Sequence, residues 1–317
     1  AEEAYHNFAQ STWYYAWHSV GYYQLAQMES QKGNYEKALE YIRSAYANNT
    51  KDGRITMLYS ALLRKHGQPD QAQELLDDLL EYDPLYFAAY YEKSLLQGNA
   101  SLVQWHKNMQ DVDNNYLEVA TNYMNAGLLD DGIALLSSLE NPNNPLVYYY
   151  QAWFYSEMGE SAKAIEMLNL AKNTSLDYAF PYRPETETIL NHAIQIDAQN
   201  ADAYYLLGNL LYDNRPEDAI AAWEKASSID SNMPMVWRNL AFGFFHHQSD
   251  SDKAIDYLRN AIEEEADMSL WYAELAKYYE LSNANFTESL AILRNNIDVV
   301  KQDVSAPKAL VALYNLN

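Results

Sequence analysis

GNYEKALEYIRSA at residues 33–45 and GQPDQAQELLDDL at 67–79 are one segment written twice. Gly33 and Gly67 lie 34 residues apart, and so do Ala38 and Ala72. The theme returns in GLLDDGIALLSSL from Gly127 and in GESAKAIEMLNLA from Gly159. It returns again in NRPEDAIAAWEKA around Ala219 and in DSDKAIDYLRNA around Ala254. A period on this scale is the mark of a repeat architecture, and it sets how every other stretch is read.

Each unit reads as two helices. Trp237, Leu240, Ala241 and Phe244 show the i, i+3, i+4, i+7 spacing that puts apolar residues on one helical face. A Gly or polar turn follows, then a second helix with start signals such as Pro216 in its first turn. The small residues Ala38, Ala72, Ala164, Ala219 and Ala254 recur at matching places, where a larger side chain would wedge the two helices apart. EYDP at 81–84 closes one unit, with Asp83 expected as N-cap and Pro84 as the first residue of the next helix.

The spacing resembles the tetratricopeptide repeat, whose 34-residue pattern runs W-x2-L-G-x2-Y, then A-x3-F, then P. YYLLGNLL at 204–211 and VWRNLAFGFF at 236–245 carry it most closely. Clear units start near residues 19, 53, 113, 145, 201 and 234, and a looser one covers 268–297. The resemblance implies an all-α fold, a right-handed superhelical solenoid of antiparallel helix pairs with a concave groove lined by the first helix of each pair. Two stretches break the period. Residues 85–112 read as a shortened helix pair, and TSLDYAFPYRP at 174–184 reads as an extended connector, since Pro181 and Pro184 forbid a continuous helix. The unit near 201 is one residue short between its helices, and the unit near 234 is one residue long. The expected organisation is repeats over 1–173, a connector with one helix over 174–200, and repeats with a capping helix over 201–317, as one continuous array. AYHNFAQSTWYYAW at 4–17 is expected to open the stack with a helix whose Trp13 and Trp17 cover the first repeat. APKALVALYNLN is expected to close it, since a solenoid needs capped ends.

A narrower resemblance is to the helical-repeat portion of a bacterial family defined by a domain of unknown function, DUF5107. It rests on ALLRKHGQPDQAQELL at 61–76, NYLEVATNYMNAGLLDDGIALL at 115–136 and FPYRPETETIL at 180–190. In that family a β-rich domain usually precedes the repeats, and no strand-rich segment occurs here.

Repeat positions name the groove. In the first half they give Tyr23, Gln27, Arg54, Met57 and Arg64, then Leu117, Tyr149 and Trp153. In the second half they give Tyr205, Asn209, Tyr212, Arg238, Asn239 and Phe242. Aromatic and Arg side chains are the usual hot spots of interfaces. Asn209 and Asn239 match the two Asn positions of the carboxylate clamp that some tetratricopeptide domains carry. Tyr205 replaces the clamp Lys, which argues against capture of an acidic tail. Phe180, Tyr182 and Arg183 form a stiff turn that could dock another domain.

Composition narrows the function. Asp and Glu number 44 against 21 Lys and Arg, a net charge of -23. The charge is spread along the chain with no basic block, so nucleic acid is not an expected partner. No apolar run reaches the roughly 18 residues of a membrane span, and no membrane insertion is expected. A soluble cytoplasmic or periplasmic protein is expected. With no Cys there is no disulfide, thiolate metal site or Cys nucleophile. The seven His lack ligand spacing, and Glu263-Glu264-Glu265 points its side chains in different directions. No cofactor, metal or catalytic set is expected. The 29 Tyr, often adjacent, read as one ring packed between helices and its neighbour on the groove. The preferred function is a non-catalytic scaffold. It would bind a protein, a peptide or a β-rich domain of its own full-length protein. A carbohydrate-binding accessory region of a larger bacterial glycan-active protein is the alternative.

Overall fold

The structure, a computed structural model, describes residues 2–110, 112–282 and 286–302, and among them there is no β-strand. The chain divides into two compact units, Ala1–Ser175 and Leu176–Asn317. Unit 1 holds α1 (Glu2–Ser11), a 3-10 turn (Tyr15–Trp17), α2 (His18–Gln31), α3 (Tyr35–Asn48), α4 (Gly53–Lys65) and α5 (Pro69–Tyr82). It continues with α6 (Phe87–Gln97), α7 (Asn99–Met109), α8 (Asp113–Ala126), α9 (Leu129–Ser137), α10 (Pro145–Glu157) and α11 (Ser161–Lys172). Unit 2 holds α12 (Glu185–Ile196), α13 (Ala201–Leu211), α14 (Pro216–Ile229), α15 (Pro234–Gly243), a π turn (Phe244–Gln248) and α16 (Ser251–Glu264). It ends with α17 (Ser269–Leu281), α18 (Phe286–Asn295) and α19 (Ile297–Val300).

The helices pair as the repeat requires: α2 with α3, α4 with α5, α6 with α7, α10 with α11, α13 with α14, α15 with α16 and α17 with α18 all pack closely. In four units the first helix stops at a glycine in the left-handed region: Gly33, Gly67, Gly127 and Gly159. A side chain there is strained, and glycine is not. Five residues on, Ala38, Ala72 and Ala164 are fully buried between the two helices. In the third unit the small residue is Gly132, and a Cβ built on it would lie 2.4 Å from the Phe154 ring. Ser249 (φ 54°) takes the left-handed position in the unit near 234, and Ala254 follows it, fully buried. The extra residue of that unit is absorbed as the π turn, the usual form of a single insertion in a helix. The short unit near 201 makes its turn without a left-handed residue, Arg215 N–H donating to Leu211 O at 2.8 Å.

Side chains fix several starts. Asp52, Asn144, Asn200 and Asp250 accept backbone N–H groups at the heads of α4, α10, α13 and α16. Asp83 does not start a helix. Its carboxylate accepts Leu85 N–H at 3.1 Å in a local turn, Pro84 lies in that turn, and α6 begins only at Phe87. The ring of Tyr86 lies where a Cβ on Gly53 would be. The opening segment also differs from its expected form. Helix α1 ends at Ser11, residues 12–17 turn outward, and Trp13 and Trp17 are exposed rather than laid on the first repeat. APKALVALYNLN lies outside the described residues.

Unit 1 departs from a simple stack. Helix α8 packs on α2 and α4 as well as on α9 and α10. Gln31 Nε2 donates to Asn125 O at 2.9 Å, and a Cβ on Gly127 would sit 2.6 Å from the Gln31 Cα. Helix α8 therefore covers the face that α2 and α4 would present to a ligand.

Candidate functional site

The covering by α8 decides the fate of the groove positions in unit 1. Tyr23, Arg54 and Met57 do meet at one place, together with Asn122, Tyr123, Ala126 and Leu128. The gap between them is about 10 Å³, at or below what one water needs. Met57, Gln27 and Leu117 are buried. Gln27 Nε2 donates to the Tyr23 phenol at 3.1 Å, and burial pushes that phenol up to about 12 against the opposing Arg54 charge. Arg54 lies at the rim, held by Asp52 through Nε (3.2 Å) and Nη2 (2.8 Å). Tyr149 is fully buried, and Trp153 is half-buried against Phe154.

Arg64 is committed to the interior. Its Nε donates to Glu92 at 2.6 Å and its Nη2 to Asp131 at 2.9 Å. Lys65 reaches Asp131 at 3.0 Å, and the Tyr123 hydroxyl donates to Glu92 at 2.6 Å. Glu92 is 0% exposed and Asp131 is buried, so the network ties α4, α6, α8 and α9 together in the middle of the unit. Burial and the neighbouring Glu92 carboxylate hold the Tyr123 phenol well above its ordinary range. Spacing along the chain gave no sign of this network, because its members come from four helices.

Unit 2 brings its groove positions together on one face. Tyr205, which is buried, and Asn209 come from α13, Tyr212 from the residue just after it, and Arg238, Asn239 and Phe242 from α15. Asn239 Nδ2 donates to Asn209 Oδ1 at 2.9 Å, and so does Trp223 Nε1 at 3.1 Å. The indole of Trp223 reaches that oxygen only because residue 208 is glycine, whose Cβ would lie 2.3 Å from Nε1. Arg238 is paired with Glu274 of α17, with Nε at 3.0 Å, and its guanidinium lies 5.0 Å from the centre of the Phe242 ring. The two Asn side chains thus bind each other and the Arg is neutralised, which leaves no clamp for a carboxylate.

Around these polar groups lies a run of rings. Tyr212 meets Phe242 at 5.6 Å and His247 at 5.1 Å, Phe242 meets His246 at 4.3 Å, and Phe245 stacks on Tyr278 at 4.0 Å. The π turn is what swings Phe245 and His246 onto this face, and the extra residue near 234 was the one sign of it in the sequence. Burial, with the charges of Lys277 and His247, lowers the His246 imidazole below its ordinary range. Burial raises the phenols of Tyr205, Tyr212 and Tyr278. The Tyr212 hydroxyl is buried yet has no hydrogen-bond partner among the described residues. Such a group costs about 1–3 kcal/mol while it stays unpaired.

The connector alternates. Ala179 and Pro181 are buried, while Tyr178, Phe180 and Tyr182 are exposed. The Arg183 guanidinium lies 5.2 Å from the centre of the Tyr182 ring.

Residues 30–95 and 136–166 match tetratricopeptide-repeat family models. Over 320 residues the chain is 24% identical to a TPR repeat-containing protein of Methanocaldococcus jannaschii, covering 90% of this chain and 53% of that protein. The chain therefore spans about half the length of that curated relative. Among solved structures it is similar to the Cut9–Hcn1 hetero-tetramer of the APC/C, at 13% identity and a TM-score of 0.38, over 88% of this chain and 52% of that one. It is also similar to a thermophilic TPR protein of Thermus thermophilus, at 16% identity and a TM-score of 0.37, over 64% and 99% of the two chains.

Proposed function

We propose that the chain is a non-catalytic interaction scaffold and that its ligand-binding face is the ring-lined face of α13, α15 and α17. The Tyr212 hydroxyl carries the reading. It is a buried polar group without a partner, set among aromatic rings on the side where the groove positions of the units near 201 and 234 meet. An extended peptide supplies both what the rings take, apolar side chains, and what the hydroxyl takes, a backbone amide or carbonyl. The repeat matches at 30–95 and 136–166 support a scaffold in general. The corresponding face of unit 1 is taken by α8, so Tyr23, Gln27, Met57, Leu117 and Tyr149 serve packing in this reading. The turn with Phe180, Tyr182 and Arg183 is a second contact for a larger partner. The narrower family resemblance makes a separately expressed β-rich domain of the same polypeptide the first such partner to try.

A displayed peptide library selected on the chain tests this. Enriched peptides are then titrated against the unchanged chain, against Phe242→Ala with Phe245→Ala, and against Lys225→Ala on the exposed side of α14. The double substitution is expected to weaken binding at least tenfold and Lys225→Ala to leave it unchanged. No enrichment, or equal affinity for all three proteins, would refute the reading.

A further inference from the structure

Residues 4–28 contain no Asp, Glu, Lys or Arg, the longest charge-free run in a chain that is 21% charged. In the middle of it, the turn between α1 and α2 exposes Trp13 (79%), Tyr14 (67%), Tyr15 (91%) and Trp17 (60%), with Val20 (46%) one turn into α2. Among the described residues no other ring packs on these four. The backbone that carries them is ordered. Trp13 N–H donates to Gln10 O at 3.1 Å, Tyr14 N–H to Ser11 O at 3.2 Å and Trp17 N–H to Tyr14 O at 2.9 Å. Below the turn, the end of α1 lies against Gly21, where a Cβ would stand 2.4 Å from the Ser11 hydroxyl. That close crossing sets the end of α1 against the first turns of α2, and the rings of residues 13–17 project from the turn between them.

We propose that this aromatic turn is a self-association face that pairs with the same face of a second copy of the chain. The area fits. Four rings at these exposures offer roughly 600 Å² per copy, since a fully buried aromatic covers about 150–250 Å². Two copies would bury roughly 1,200 Å² together, above the level of about 1,000 Å² that separates specific interfaces from incidental contacts. The charge fits as well. Two chains of -23 repel each other wherever their acidic surfaces meet, and this turn brings no charged side chain of its own to the contact. A two-fold contact needs no complementary partner, only a patch that matches itself, and rings that stack edge to face do so. A lipid surface suits the Trp and Tyr content but not the net charge, because anionic lipids repel a chain of -23. The face belongs to unit 1 and owes nothing to the peptide reading of unit 2.

Sedimentation velocity of the full chain over a range of about 1–50 µM tests the proposal, at low and at raised NaCl. The expected result is a concentration-dependent rise to twice the monomer mass, stronger in high salt as repulsion is screened. Trp13→Ser with Tyr15→Ser and Trp17→Ser is expected to return the chain to monomer with unchanged circular dichroism, since all three side chains are exposed. A monomer at every concentration and salt overturns the proposal, and so does a dimer that survives the triple substitution. Flotation of a monomeric chain with phosphatidylcholine vesicles, lost in the triple variant, also overturns it by giving the face to lipid.

Discussion

Arg64→Met should be among the most damaging single changes in unit 1. The substitution keeps most of the side-chain volume and removes the guanidinium. Glu92 then loses both bonds from Arg64 and keeps only the Tyr123 hydroxyl, at 0% exposure. Asp131 retains Lys65 at 3.0 Å. Removing one partner of a buried pair costs about 3–5 kcal/mol, because the other charge is left in the interior. At about 1.4 kcal/mol per tenfold, local opening should become roughly 10²- to 4 × 10³-fold more frequent. Arg64→Met with Glu92→Met removes both charges. It leaves the Tyr123 hydroxyl without its acceptor, a cost of about 1–3 kcal/mol, so the double variant should be more stable than Arg64→Met alone. Repeat arrays need not unfold in one step, so a single melting temperature is a poor readout. Hydrogen exchange of amides in α4, α6 and α9, with unit 2 as internal reference, reads the right part. Arg64→Met exchange within a factor of three of the unchanged chain would refute the buried network. So would a double variant less stable than Arg64→Met.

Three further outcomes follow from the packing and the phenols. Gly33→Ala and Gly127→Ala both put a side chain at positive φ, which costs about 1 kcal/mol. Gly127→Ala should cost clearly more in urea titrations, because its methyl also meets the Gln31 backbone where α8 lies on α2, whereas Gly33 has open space. Gly132→Ala should destabilise unit 1 by about 1–3 kcal/mol through overpacking against Phe154, and Phe154→Leu should relieve part of the loss. Burial raises the phenols of Tyr23 and Tyr41 to about 12, and burial with the Glu92 carboxylate raises that of Tyr123. Their raised values favour the neutral form in the folded chain. That stability is fully present below about pH 10 and is lost as pH rises toward and past 12. Absorbance at 295 nm and helical circular dichroism should therefore change together above about pH 11. Complete ionisation of all phenols with the helices intact would contradict this.

The helix pairs could be read because each carries its own local signature. A left-handed glycine ends the first helix, and a small residue five positions on lets the second approach. The adjacent tyrosines differ in exposure at Tyr90–Tyr91 and Tyr278–Tyr279, one ring buried and the other half-buried, but at Tyr278–Tyr279 the buried ring is the one stacked on Phe245. They do not at Tyr149–Tyr150, both buried, or at Tyr14–Tyr15, both exposed. The difference is tertiary. Helix α8 touches α2, more than eighty residues earlier, and no 34-residue period reports a contact of that range. Leu117, Thr121 and Met124 suit a ligand groove and a buried seam equally well, so their identity could not separate the two. Arg64 in turn looked like a surface anchor, because Glu92 and Asp131 stand 28 and 67 residues away on other helices.

If the ring-lined face of unit 2 takes a ligand as proposed, one repeat pattern has two uses, and hydrogen-bond accounting separates them. In unit 1 the inner polar groups close on one another: Arg64 with two carboxylates, Gln27 with Tyr23, Gln31 with the α8 backbone. In unit 2 the Arg238–Glu274 and Asn209–Asn239 pairs close too, and the Tyr212 hydroxyl does not. A ligand there gains from rings and from one neutral hydrogen bond, not from a charge, because Arg238 already has its carboxylate. Peptide affinity should then change less than about threefold between roughly 50 and 500 mM NaCl, a range over which exposed charge pairs are progressively screened. Capture through Arg238 would instead require Glu274 to be displaced and would show a steep loss of affinity with salt. Glu274→Gln separates the cases further. It should strengthen binding of an acidic peptide if the guanidinium is the true contact, and leave binding nearly unchanged if the rings and Tyr212 are.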